Sequence, residues 1–130
     1  MKNIFVIDAN VILRYLLDDH PNLSKLAMEF MTRVKTGEQE GFIPEGVLVE
    51  CVYVLLKLYR VPRTEIAGSL EGILNYKGVV NQDLAVLRKA LGLFAERNVD
   101  IVDAIVHALA EERGWSCFSF DKDMDKLQRQ

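Results

Sequence analysis

Four acids of this 130-residue chain sit where a surface acid is not expected. Asp8 closes the apolar run Ile4-Phe5-Val6-Ile7, and Asp121 closes Cys117-Phe118-Ser119-Phe120. Glu50 interrupts the apolar stretch from Gly46 to Leu56, and Asp103 interrupts the one from Ile101 to Ala110. An unpaired carboxylate on a buried helix face is costly, so it calls for a cation or a hydrogen-bond network. Few cationic side chains lie close by in sequence, and one bound metal site would serve all four acids. A carboxylate cluster without His or Cys selects a hard cation, Mg²⁺ or Mn²⁺. Such an ion acidifies water and offsets charge on phosphoryl oxygens, which is the chemistry of phosphodiester cleavage. No Gly-rich phosphate loop is present, which argues against a nucleotide-dependent transferase.

Each acid also has a plainer reading. Asp8 could cap the helix that follows it, and Asp121 could cap the last turn. Glu50 could lie on a narrow solvated stripe. Asp103 could cap its helix or pair with His107 one turn on. Asp100 shares the face of Asp103 if that helix starts early, and Asp123 and Asp125 follow Asp121. For these three, solvated surface is the default and an outer-shell role the alternative.

The elements that position these acids read as alternating strands and helices. Phe5-Val6-Ile7, with Ile4 before it, reads as a strand buried on both faces. A short helix covers Asn10 to Leu17, then a loop runs to Asn22. Asn22 or Ser24 could cap a second helix, with Leu23, Leu26, Ala27, Phe30, Met31 and Val34 on its apolar face and an end near Gly37. Gly41 to Pro44 reads as a short strand, and Val47 to Tyr59 as one nearly all-apolar helix. Further helices are expected over Arg63–Leu74, with Thr64 a candidate cap, over 82–97, and over Ile101–Arg113, ended at Gly114. Val79-Val80 is a candidate short strand and Cys117 to Phe120 a clear one. Asp121 to Gln128 closes the chain as a polar turn or short helix. Strands separated by helices indicate an α/β layer with a mainly parallel sheet. Asp8 and Asp121 would then stand at the carboxyl edge of that sheet, where ligands bind.

Composition limits the alternatives. Half of the residues are hydrophobic and 27% are charged, the balance of a folded domain and not of a disordered tail. A chain of this length buries roughly two-thirds of its unfolded surface, enough for one core, and residues 1–130 read as a single domain. No apolar run approaches the roughly 20 residues that span a membrane, and the N-terminus lacks a secretory pattern. The expected location is the cytoplasm. The net charge is −3, spread evenly: 8 basic and 9 acidic groups in residues 1–65, then 8 and 10 in 66–130. Nucleic-acid binding driven by bulk charge is not indicated. Cys51 and Cys117 sit in apolar runs without metal-ligand spacing and read as reduced thiols.

In this order and spacing the acids resemble a known family. Val6-Ile7-Asp8-Ala9-Asn10-Val11-Ile12-Leu13 resembles the opening strand and turn of PIN-domain ribonucleases. Val49 to Leu55 resembles their glutamate helix, Val102 to Ala110 their third acidic motif, and Phe118 to Asp125 their closing motif. The length and the continuation Arg14-Tyr15-Leu16-Leu17-Asp18-Asp19 look most like the VapC branch, the toxins of type II toxin–antitoxin pairs. The resemblance implies a PIN-like α/β/α sandwich, a central mainly parallel sheet flanked by helices. It implies Mg²⁺-dependent endonucleolytic cleavage of RNA, with Mn²⁺ a substitute. It also implies a homodimer and a cognate antitoxin that blocks the site. By position, Asp8, Glu50, Asp103 and Asp121 match the family's catalytic, metal-binding acids. Asn10 matches the polar residue two after the first acid. Ser119-Phe120-Asp121 satisfies the closing motif loosely, so either Asp121 or Asp123 completes the site. Arg14, Lys57 and Lys122, with Arg60, are candidates for contacts to RNA phosphate.

Two other functions compete. An aspartyl-phosphate phosphatase also uses a strand-end aspartate, but it wants a second acid where Asn10 stands. A partner-binding module could keep the fold and lose turnover, although an idle site has no reason to keep mutually repelling acids.

Overall fold

The computed structural model describes residues 3–120 and residue 127. Strand β1 (Ile4–Val6) leads into α1 (Ala9–Leu17), α2 (Pro21–Thr36), β2 (Glu40–Phe42) and α3 (Glu45–Tyr53). After a π-helical turn over Val54–Leu58 come α4 (Arg63–Leu74), α5 (Leu84–Arg97) and α6 (Ile101–Arg113). Strands β1 and β2 run parallel, pairing Ile4 with Glu40, Phe5 with Gly41 and Val6 with Phe42. A parallel bridge from Gly41 to Val79 widens the sheet on its far side. This is the expected α/β arrangement, a small parallel sheet flanked by helices. Val79-Val80 gives only that bridge, not a strand.

Left-handed residues end most of the helices. Gly37 (φ +85°) stops α2 and Gly114 (φ +68°) stops α6. Asp18 and Asn98 take the same conformation after α1 and α5, as short polar side chains can. The helix starts differ from expectation. His20, not Asn22 or Ser24, caps α2: its Nδ1 accepts from the Leu23 amide at 3.1 Å, with Pro21 in the first helical position. Pro62, not Thr64, precedes α4, and its fixed φ of −59° suits a helix entrance.

One helix was expected from Val47 to Tyr59. Instead α3 ends at Tyr53 and the chain widens, with Tyr59 bonding back to the Val54 carbonyl and Val61 to that of Leu55. Arg60 then turns left-handed (φ +52°). Pro62 disfavours the helical region for Val61 just before it, so this helical segment ends before α4 begins.

The core lies between sheet and helices. It is built from Ile7, Ile12, Met31, Leu48, Leu70, Leu87, Phe94, Ile101 and their neighbours, and Leu127 joins it. Helix α5 packs most closely on α6 and α4, and α1 on α2. Gly78 sits where the chain passes the end of α2. A Cβ there would stand 2.1 Å from the Gln39 carbonyl oxygen and 2.7 Å from that of Val34.

Two strand expectations need correction. Ile4, Phe5 and Val6 are largely exposed, and only Ile7 of that run is buried. Among the described residues β1 pairs with β2 on one edge alone, so there it is not the doubly covered central strand that its composition suggests. Cys117 to Phe120 forms no strand, and Phe118 and Phe120 are 88% and 93% exposed. A four-residue segment has no strand stability without a ladder partner. The expected closing turn over 121–128 lies, apart from Leu127, outside the described residues. No helix among the described residues is long and apolar enough to cross a membrane.

Candidate functional site

The turn from β1 into α1 presents Asp8. It occupies the position before the first turn of α1 with an extended backbone (ψ 156°), yet its side chain makes no cap hydrogen bond. Its simplest structural use is therefore not taken up, and the carboxylate is exposed. Asn10 is exposed one residue into the helix.

Helix α3 packs against both α1 and α6. Leu48, Cys51 and Val52 form its buried side, while Glu50 lies on its exposed stripe. This corrects the premise that Glu50 is a buried acid. α3 is apolar nearly all round, but its solvent-facing stripe opens where Glu50 stands, so the burial cost is not incurred. Cys51, next to Glu50 on α3, feels the charge of Asp8 as well. Burial pushes its thiol up to about 12, and the negative charges of Glu50 and Asp8 push the same way. Its Sγ lies 3.9 Å from the Ala9 carbonyl oxygen, which ties α3 to the start of α1.

Helix α6 brings Asp103 in its first turn, half-buried, where a negative charge suits the helix dipole. The cap is Asp100, not Asp103: Asp100 Oδ1 accepts from the Val102 amide at 2.8 Å. The same oxygen accepts from the Tyr53 hydroxyl at 2.8 Å. Tyr53 is pushed up to about 12 by burial, by that hydrogen bond, and by the charges of Asp100 and Asp103. It therefore remains a donor near neutral pH. His107, one turn after Asp103, lies 3.2 Å from the Glu111 carboxylate without hydrogen-bonding to it. Its pKa is lowered by burial and then by Lys89 and Arg97.

So α3 is the hub: Cys51 reaches the start of α1 and Tyr53 reaches the N-terminus of α6. Asp121, Asp123 and Lys122 lie outside the described residues. Ser119 lies in the exposed irregular segment after α6. Among the described residues, no three His, Cys, Asp or Glu side chains converge as a metal-ligand set. The donor types nevertheless fit a hard divalent ion. The side chains of Asp8 and Glu50 carry no ion pair among the described residues, where the pairs are Arg14–Asp19, Lys89–Glu111 and His107–Glu111. Exposed, unspent carboxylate oxygens are what Mg²⁺ or Mn²⁺ takes.

The candidate cations are placed less simply. Arg14 is held 2.9 Å from Asp19, which also accepts from the Tyr59 hydroxyl at 3.2 Å. It lines an open apolar groove of about 430 Å³ with Phe5, Val6, Asn10, Leu26 and Phe30. Lys57 stands 4.9 Å above the Tyr53 ring, two turns along from Glu50. Sequence reasoning missed Tyr53 and Arg63. The spacing of Glu50 and Tyr53, three residues apart on one helix, is the signal that was available for Tyr53. Arg63 Nη1 donates to the carbonyls of Phe94 and Val99 at 3.0 and 2.7 Å, pinning the turn into α6.

A family model described as the PIN domain matches residues 5–130. A VapC ribonuclease of Aquifex aeolicus (strain VF5) is 28% identical over 124 residues, covering 94% of this chain and 90% of that protein. No solved structure matches the chain at a significant level.

Proposed function

Since the chain belongs to the PIN domain family, we propose that it is a divalent-metal-dependent endoribonuclease, folded as one domain over residues 1–130. The observation that carries this is Asp8: an exposed carboxylate at a helix start that does not cap the helix, its charge acting together with that of Glu50 on the buried Cys51 thiol. Asp8, Glu50, Asp103 and Asp121 would hold Mg²⁺, with Mn²⁺ a substitute. Asn10, Asp100, Ser119 and Asp123 would support them, and Arg14, Lys57 and Lys122 would meet RNA phosphate. The bound ion supplies two things: acidified water and relief of charge on the phosphoryl oxygens. Water adds to phosphorus in line, the ester P–O bond breaks, and the leaving nucleoside oxygen takes a proton. The chain's own part is to place its carboxylates and to hold the phosphate with its cations.

The likeness to a VapC ribonuclease supports a narrower reading. The chain would be the toxin of a VapBC-type pair, cytoplasmic, homodimeric and restrained by a cognate antitoxin. The test is cleavage of total cellular RNA by wild type and Asp8→Asn, with and without chelator. Discrete products that need both Mg²⁺ and Asp8 are expected. Equal cleavage by a folded Asp8→Asn protein overturns the proposal.

A further inference from the structure

Asp103 stands on a helix whose N-terminus is held by a second helix. Asp100, the cap of α6, receives two hydrogen bonds on one oxygen: the Val102 amide from within α6 and the Tyr53 hydroxyl from α3, both at 2.8 Å. Tyr53 lies three residues after Glu50, and Asp100 three before Asp103, so the contact joins two acid-bearing helices one turn from each acid. Lys57 lies over the Tyr53 ring at 4.9 Å, and the half-buried ring is packed against the core. The tyrosine therefore has a fixed direction as well as a partner.

We propose that Tyr53 is a positioning residue of the site: its hydrogen bond to Asp100 sets the placement of Asp103 relative to Glu50, and with it the affinity for the divalent ion. This rests on the metal-dependent reading above. The reason is geometric. Carboxylates from separate helices bind one ion only if the helices keep a fixed offset. Apolar packing between α3 and α6 is non-directional, whereas a hydrogen bond fixes direction and length. Groups that hydrogen-bond a metal ligand typically change affinity by about ten- to a hundredfold when removed, and Tyr53, one residue further out, is expected at the lower end.

The experiment is titration of the full chain with Mn²⁺ alone, without RNA, following free Mn²⁺ by electron paramagnetic resonance. Thermal melting is recorded on the same samples. Tyr53→Phe keeps the ring and removes the donor, and is expected to weaken Mn²⁺ binding about tenfold. Asp100→Asn keeps an acceptor oxygen for both donors and is expected to weaken binding less than Asp100→Ala does. Asp100→Ala is expected to weaken binding at least as much as Tyr53→Phe. Unchanged affinity in Tyr53→Phe overturns the proposal, even if its melting temperature falls. So does an Asp100→Asn protein as weak as Asp100→Ala, because Asp100 would then act through its charge as a ligand. A folded wild type that binds no Mn²⁺ overturns the metal reading itself, and the positioning role with it.

Discussion

The guanidinium of Arg63 reaches 2.7 Å from the carbonyl oxygen of Val99, the residue before the cap of α6. It also donates to Phe94, near the end of α5, and lies 4.3 Å from the centre of the Phe94 ring. One side chain at the start of α4 thus closes the turn between two other helices. Lysine cannot bond two carbonyls from one planar group or stack in the same way. Arg63→Lys is expected to cost about 2 kcal/mol, read from urea unfolding. A loss indistinguishable from zero means that the turn is held by packing alone.

Asn81 makes a comparable contact at the sheet. It is buried, its Oδ1 accepts from the Ile43 amide at 2.9 Å, and its Nδ2 donates to the Ile43 carbonyl at 2.7 Å. The side chain stands in for a neighbouring strand just beyond β2. Asn81→Leu leaves both backbone groups of a buried residue unpaired, at about 1–3 kcal/mol each. A total loss near 3 kcal/mol is the expected result of chemical denaturation. Retained stability would mean that water replaces the amide.

Cys51 is fully buried and its thiol is pushed up to about 12. Thiolate is the reactive form. In the native protein at pH 8, Cys51 should resist a thiol reagent, and it should react once the chain is unfolded. Peptide mapping of the labelled protein distinguishes it from Cys117. Fast native labelling of Cys51 would show that α3 opens from α1.

If Glu50 binds the ion, Mg²⁺ should raise the melting temperature of the wild type. Binding to the folded state alone adds about 2.7 kcal/mol at a hundredfold excess over Kd. In Glu50→Gln most of that shift should vanish, while the ion-free melting temperature changes little because Glu50 is exposed. An undiminished shift would remove Glu50 from the ligand set.

Much of the fold was legible in the residues because local rules decide it. The bounds of α4 and α6 follow from apolar periodicity and from Gly114, whose left-handed backbone stops α6. The place of Asp8 between β1 and α1 follows from a β-branched run that gives way to a helical pattern. What depends on a distant partner was not legible. Burial of β1 was overestimated because strand composition does not say how many edges are paired. Cys117 to Phe120 reads as a strand from its short, mostly apolar run, but a strand exists only where a ladder is available. Whether Glu50 is buried or lies on a solvated stripe is open in the sequence, because an apolar helix does not reveal which narrow stripe meets water. The cap of α6 went to Asp100, and its link to Tyr53, 47 positions away, is a product of how α3 lies against α6. The sequence by itself thus determined the acids, their order and the elements that bear them, since these depend on neighbours within a turn. Only the tertiary structure decided which acids stand free and which are tied down, because that depends on how helices remote in sequence pack.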